Sequence, residues 1–352
     1  MDLLPFIHEQ VLPHFAGLAG ATVAPLGRGL VNRTFLVEHD GGRFVLQRVA
    51  PVFSPAINEN IAAVTAALAR AGLTTPRLLP ARDGRPCLDL GEAGGTWRLQ
   101  TFVAGACFDR VQSPAQAAAA GALVARFHRA LDGLDHRFLG LREGVHDTAN
   151  HLSHLRQALA SHPSHRLASQ VEALAETIFA RAESLPPLPE LPLRICHGDL
   201  KLNNILFAGE APPASATAVC LIDLDTVGPM SLAHELGDAW RSWCNASGED
   251  TRQARIDLEV FRASFASYAS TIGRELTERE RQALLGGVEW ISLELAARFA
   301  ADALHESYFG WDQERYPGRG EHNLERGQGQ LALHRAFVAT RDERAAILGV
   351  SP

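Results

Sequence analysis

The chain of 352 residues is poor in several things, and each shortage excludes something. No apolar run approaches the roughly 18 residues that a membrane-spanning helix requires. There is no surplus of basic charge. Lys and Arg number 33 against 40 Asp and Glu, a net charge of −7. That balance argues against a nucleic-acid or anionic-membrane partner. The five cysteines (Cys87, Cys107, Cys196, Cys220, Cys244) are scattered, odd in number and never paired as C-x-x-C. A disulfide framework and a zinc site are therefore not expected, and free thiols in a reducing cytoplasm are. The first residues, MDLLPFIHEQVLPHF, carry an early acid and Pro5 and lack the basic region and small-residue cleavage site of a secretory leader. A cytoplasmic location is the expectation. The fifteen histidines show no paired metal spacing, and there is no internal repeat or low-complexity tract. What remains is 46% hydrophobic and 21% charged, an ordinary globular composition long enough for two structural units with a core each.

Chemistry concentrates in RICHGDLKLNNILF, Arg194 to Phe207, and in VCLIDLDTVG, Val219 to Gly228. The first reads as a short strand, a tight polar turn and a second short strand. The other reads as a strand running into Asp223 and Asp225. Asp199 follows His197 by two residues, and Asn204 follows Asp199 by five. Such a turn aims a carboxylate and an amide oxygen into one cleft, and Asp223 arrives from a separate hairpin. One carboxylate as base, with an Asn and an Asp as hard oxygen ligands, suits Mg2+-assisted phosphoryl transfer. Magnesium keeps waters and substrate phosphates in its shell, so two protein ligands suffice.

In chain order, Leu3 to Leu18 have helical spacing, interrupted at Pro13. Strands follow at Thr22–Leu26, Arg33–Glu38 and Arg43–Val49, the last two joined by an Asp-Gly-Gly hairpin. GRGLVN, Gly27 to Asn32, holds Gly27 and Gly29, which allow a backbone to approach a phosphate. Ile57–Ala71 is an amphipathic helix stopped by Gly72, and strands recur near 77–80, 86–90 and 97–103. Beyond Val103 helices dominate: Ser113 to about Leu131, 149–160, 164–185, 230–244, 250–272, 277–304 and 324–348. Thr277 with Glu280 forms a capping box. Strands first and helices after predict an α+β fold with the site between two lobes. The N-terminal lobe takes residues 1–102 and the helical C-terminal lobe residues 103–352.

HGDLKLNN followed by LIDLD resembles the aminoglycoside phosphotransferase and choline kinase superfamily, which shares the protein-kinase fold. The likeness continues through GRGLVNRTFLV, FVLQRVAPVF with INENI, GGTWRLQTF, HELGDAWR and ELAARFAADAL…YFG…EHNLERGQGQL. Within the superfamily the chain is most similar to the N-acetylhexosamine 1-kinases. The resemblance implies an ATP- and Mg2+-dependent kinase of a small alcohol or sugar, the anomeric hydroxyl of an N-acetylhexosamine being the first expectation. Homoserine, choline or an aminoglycoside as acceptor, or a non-catalytic nucleotide-binding module, are the alternatives. Asp199 would be the base, Asn204 and Asp223 the metal ligands, and Gly27 with Gly29 the cover over the phosphates. Gln100, Thr101, Phe102 and Val103 would form the hinge against adenine. The cation on the third strand would be Arg48, with Gln47 facing the other way, and Glu59 is either its partner or a solvated acid. His197 would brace the loop rather than act as base. Lys201 touches the γ-phosphate or is solvated, and Asp225 is a second acidic contact or a loop support. Asp238 would hold the catalytic loop. Arg298 either lies along an apolar face or reaches a polyhydroxy ligand, in a segment closed by Tyr308. Nothing between Asp223 and the next helix resembles the activation segment of a protein kinase.

Overall fold

The computed structural model describes residues 3–27, 32–142, 144–248 and 251–352. Gly29, expected in the phosphate-covering loop, lies outside them.

The chain begins with α1 (Leu4–Phe6), which continues as a π turn (Ile7–Val11) and a 3-10 turn (Leu12–His14). It is not one regular helix, and Pro13 is the reason. Its missing N–H and ring preclude an ordinary α-helix through that position. Strands β1 (Thr22–Pro25), β2 (Arg33–His39) and β3 (Gly42–Val49) follow. Then come helix α2 (Ile57–Arg70), the short strands β4 (Leu78–Leu79) and β5 (Leu88–Asp89), the single turn α3 (Gly91–Gly94) and strand β6 (Thr96–Thr101). The sheet is antiparallel in the order β1-β2-β3-β6-β4, with β5 also on β6. Strand alternation divides its faces. Leu46, Trp97 and Leu99 pack with Ile7, Val11 and Phe15 of the N-terminal turns. The alternate residues, Gln47 and Arg98, point the other way and meet each other.

Helices α4 (Pro114–Leu131), α5 (Thr148–Ser161) and α6 (Ala168–Ser184) open the second lobe. Ser113 caps α4 by accepting from Gln116 N–H at 3.2 Å, with Pro114 at the first helical position. Then β7 (Arg194–Cys196), β8 (Ile205–Phe207), β9 (Ala218–Leu221) and β10 (Gly228–Met230) form two small antiparallel two-stranded sheets, β10-β7 and β8-β9. Helices α7 (Leu232–Trp243), α8 (Leu258–Thr271), α9 (Glu278–His305), α10 (Arg319–Ala339) and α11 (Arg341–Leu348) complete it. The Thr277–Glu280 capping box at α9 is present. The main core joins α4, α7, α8 and α9 through Phe127, Trp240, Phe261 and Leu284.

Two expected helices differ. The one expected from residue 250 begins at Leu258, capped by the Asp257 carboxylate, which accepts from Glu259 and Val260 N–H. The last is two helices that break at Thr340. The break lets α11 turn back so that the buried Arg344 pairs with Glu289 of α9 and donates to the Phe337 and Leu285 carbonyls. All five cysteines are free. No helix among the described residues is long and apolar enough to cross a membrane.

Candidate active site

The turn between β7 and β8 carries the densest polar geometry. Gly198 has φ +81°, and a Cβ there would lie 2.7 Å from the Thr226 carbonyl oxygen, so the tight approach of the two loops requires glycine. Asp199 follows. Its Oδ2 accepts from Lys201 Nζ at 2.8 Å and from Asn204 Nδ2 at 3.0 Å, and Asn204 Nδ2 also donates to the Asp199 carbonyl at 2.8 Å. Both donors lie on one carboxylate oxygen. Asn204 spends its amide nitrogen on Asp199 and keeps Oδ1 for another partner. Burial works to raise the Asp199 carboxyl, but the charge and hydrogen bond of Lys201 outweigh it and hold the group below the usual carboxylate range.

Asp223 reaches the same place from the end of β9 with φ +64°, a left-handed conformation uncommon for a non-glycine residue. Its carboxyl is pushed up to about 6, by burial first and then by the charges of Asp225 and Asp199. Two carboxylates therefore bear on a third with too little positive charge between them. The donor set of Asp223, Asn204 Oδ1 and Asp199 is all oxygen, and its charge imbalance is what a hard divalent cation relieves.

Asp225 is 7% exposed and does not point into this space. It pairs with Arg98 of β6 and accepts from Asn32 Nδ2 at 2.6 Å. Asn32 Oδ1 in turn accepts from Ala50 N–H at 2.9 Å. Asp225 thus ties the sheet lobe to the helical lobe. This corrects the expectation for the strand cation. Arg48 lies on the opposite face, its guanidinium 5.9 Å from the Trp97 ring, on the side covered by the N-terminal turns. The cation on the cleft face is Arg98, held by Gln47 Oε1 at 2.9 Å. Gln47 also donates to Thr34 Oγ1. Glu59 is exposed on α2, and Asp225 is the anion that meets the strand cation.

The loop is clamped from beneath by a residue the sequence reading missed. Glu235 of α7, fully buried, accepts from His197 N–H at 2.8 Å and Gly198 N–H at 2.9 Å. His128 Nε2 lies 3.2 Å from the same carboxylate, and His128 Nδ1 lies 2.9 Å from the Tyr268 hydroxyl. Burial would raise Glu235, but His128 and the loop amides hold it below the usual range. His197 is 0% exposed. Its Nε2 donates to the Ile222 carbonyl at 2.9 Å while Nδ1 accepts from Asp199 N–H at 3.3 Å. With both ring nitrogens used, His197 fastens the β9 hairpin to the loop. Thr226 Oγ1 adds a bond to the His197 carbonyl. Asp238, expected to hold the loop, instead accepts from Arg241 Nε and Nη2 at 3.1 and 2.9 Å. A carboxylate one helical turn earlier performs the clamping. The sequence signal was the first acid in HELGD, a buried-side position three residues before Asp238.

The remaining expected residues are dispersed. Gly27 sits at the end of the described part of its loop with φ +72°. At the crossing after β6, Gln100 pairs with Val45 and Leu78, Thr101 N–H donates to the Arg77 carbonyl, and Phe102 N–H donates to the Arg43 carbonyl. Those amides are spent within the sheet, and Val103 is the next residue along. Arg298 of α9 lies over Phe309 at 5.7 Å, and Tyr308 accepts from Arg142 Nη1 at 2.7 Å. These two sit with the loop after α9, which Asp302 ties down by accepting from Ser307, Tyr308 and Phe309 N–H.

Comparison with known proteins agrees with this geometry. Residues 22–270 match the phosphotransferase enzyme family. A homoserine kinase of Gluconacetobacter diazotrophicus is 29% identical over 265 residues, 74% of this chain and 74% of its own. A microcompartment-associated aminopropanol kinase superposes with a TM-score of 0.65 at 20% identity, covering 96% of this chain and 98% of that one. An amicoumacin kinase solved in complex with AMP-PNP and Ca2+ gives 0.61 at 10% identity, over 94% and 93%. The two structures share the two-lobe kinase-like fold, and the family match runs from the first strand of the sheet to the last turn of α8. The chain belongs to the phosphotransferase enzyme family.

Proposed function

We propose that the protein transfers the γ-phosphoryl group of ATP, with Mg2+, to a hydroxyl of a small sugar, an N-acetylhexosamine at its anomeric position being the first candidate. The observation that carries the kinase reading is the convergence of Asp199, Asn204 and Asp223 on one space. Asp199 keeps Oδ1 clear of Lys201 and Asn204, so that oxygen takes the acceptor proton. Being held ionised, it is ready to do so at neutral pH. Lys201 fixes the carboxylate and places positive charge beside the transferring group. Mg2+ would be held by Asp223 and Asn204 Oδ1, and when bound it neutralises charge on the β- and γ-phosphates. Gly27 begins the cover over the phosphates, and Val103, next after the sheet-bound amides, offers its backbone to adenine. Arg98, through Asp225, sets the sheet lobe over the acidic turn, while Asp238 and Arg241 flank the loop. Catalysis rests on placement and charge, without a covalent intermediate.

Two features support a sugar. The Arg142 and Arg298 guanidinium groups lie over the Tyr308 and Phe309 rings, a cluster of aromatic and hydrogen-bond-donor chemistry suited to a polyhydroxy ligand. The C-terminal likeness to N-acetylhexosamine 1-kinases points the same way. A second reading, a hydroxy amino acid or amino alcohol, is favoured by the homoserine kinase relative. ATP consumption with Mg2+ against N-acetylhexosamines, other reducing sugars, homoserine, choline and aminoglycosides separates the two. Asp199→Asn is expected to abolish turnover while ATP binding and fold persist. Residual activity within tenfold of wild type would remove Asp199 from its role. ATP binding with no acceptor turned over would refute the kinase reading.

A further inference from the structure

A second polar neighbourhood is linked to the Asp199 loop through Asp238 of α7, whose charge bears on both Lys201 and His146, and the chemistry assigned so far does not use it. Helices α7 and α9 cross closely. A Cβ on Gly287 would lie 2.2 Å from the Ala233 carbonyl oxygen, and one on Gly237 2.8 Å from the Gly287 backbone. The crossing fixes what emerges beside it. On α7, His234, Asp238 and Arg241 follow at four- and three-residue spacing and share one face. On α9, Glu294 lies two turns beyond Gly287, and Arg298 one turn further.

Glu294 is 1% exposed and fully engaged. His146 Nδ1 lies 3.1 Å from Oε1, Thr148 Oγ1 donates to Oε2 at 2.8 Å, and His151 Nε2 stands 3.8 Å from Oε1. The His146 side chain is 7% exposed, and its ring packs 5.6 Å from that of His234. Its other nitrogen, Nε2, is buried with no partner among the described residues, as is Asp238 Oδ2. His146 also has φ +58°, a left-handed backbone that a residue with a Cβ adopts only at a cost. A buried imidazole held by a carboxylate at one nitrogen and open at the other, in a strained backbone, is built to meet something.

We propose that His146, held by Glu294, binds the acceptor, donating from Nε2 to an uncharged or anionic oxygen of it, and that this site turns away acceptors presenting an ammonium group there. The assignment rests on the kinase reading above. Burial works against charge on His146, but the hydrogen bond and charge of Glu294 outweigh it and raise its pKa, which favours a proton on Nε2 while Nδ1 faces the carboxylate. His234 is pushed down to about 4, by burial first and then by His146, and stays neutral. His151 is lowered by burial as well, so His146 is the imidazole of the three whose surroundings favour charge. Glu294 is neutralised by His146 and Asp238 by Arg241, and Arg298 adds a positive charge one turn away. An acetamido carbonyl or a carboxylate finds donors in this setting, whereas an ammonium finds a like charge.

The test is steady-state kinetics with N-acetylglucosamine, glucuronate, glucosamine and choline. Wild type is expected to use N-acetylglucosamine or glucuronate at least tenfold better in kcat/KM than the two cationic acceptors. His146→Asn tolerates the left-handed backbone but falls short of the acceptor. It is expected to raise the acceptor KM about tenfold, with kcat and the KM for ATP within twofold of wild type, and to narrow the margin over glucosamine. Glu294→Gln keeps the hydrogen-bonding shape and removes the charge. It is expected to give the same rise at pH 8, relieved toward pH 6, and so keeps the test open if His146→Asn does not fold. Unchanged acceptor KM in a folded variant overturns the assignment. Turnover of ammonium-bearing acceptors alone overturns it and leaves the kinase reading standing. ATP binding with no acceptor turned over overturns both.

Discussion

Arg98 shows how much one side chain decides. It is 1% exposed, and its charge is balanced by Asp225 across the two lobes. Removing one partner of such a pair leaves a buried charge uncompensated, which costs about 3–5 kcal/mol. Arg98→Met is therefore expected to lower unfolding stability by about that amount in chemical denaturation. Arg48→Met, losing a contact over Trp97, should cost about 0.5–1 kcal/mol. Equal effects of the two substitutions would contradict the assignment of Arg98 as the cation of the cleft face. Strand alternation showed that Gln47 and Arg48 point opposite ways, but alternation does not say which face is the cleft. That depends on where the N-terminal turns pack, a long-range fact. Arg98 carried a local signal nonetheless, as a lone charge in the apolar strand TWRLQT. Asp199, Asn204 and Asp223 were legible because their chemistry and their spacing coincide. Asp225 was legible as an acid, but its partner was not.

At the level of elements, α7 does two jobs on two faces. One face carries Glu235, which clamps the loop amides of His197 and Gly198, with His128 and Tyr268 behind it. A displacement of about 1 Å at a catalytic group costs up to 100-fold in rate. Glu235→Gln presents an N–H to one loop amide and is expected to lower kcat by tenfold or more, with the KM for ATP little changed. A kcat within twofold of wild type would mean that the clamp does not position Asp199. The helices themselves were largely readable from spacing and caps, as Ser113 and Thr277 show. The break at Thr340 was not, because no Gly or Pro marks it. It arises from the pairing of Arg344 with Glu289, residues 55 apart in sequence, which no local pattern encodes.

For the whole molecule, the order of strands and helices gave the two-lobe architecture, while the ties between distant segments had to be seen. One tie makes stability depend on pH. The Glu294 carboxyl is held at about 2, burial being outweighed by His146, against an ordinary value of 4.5. A depressed carboxylate contributes stability that is present above its unfolded pKa and lost as pH falls toward the folded one. The difference corresponds to about 3 kcal/mol, so melting temperature is expected to fall between about pH 4.5 and pH 2. Glu294→Gln should flatten that slope, and an unchanged slope would place the acid sensitivity elsewhere. The pairing of Lys201 with Asp199 has a different consequence. Lys201 is the one lysine in the sequence. An amine-acylating reagent therefore has a single side-chain target, and it lies in the catalytic turn. Burial favours the neutral amine, but Asp199 outweighs it and keeps Lys201 protonated, so acylation of the resting enzyme should be slow. Losing the carboxylate in Asp199→Asn should speed it, and bound nucleotide should shield it. The rate at which one acyl mass is added, followed by mass spectrometry, thus reports on the state of the active site without any acceptor in hand.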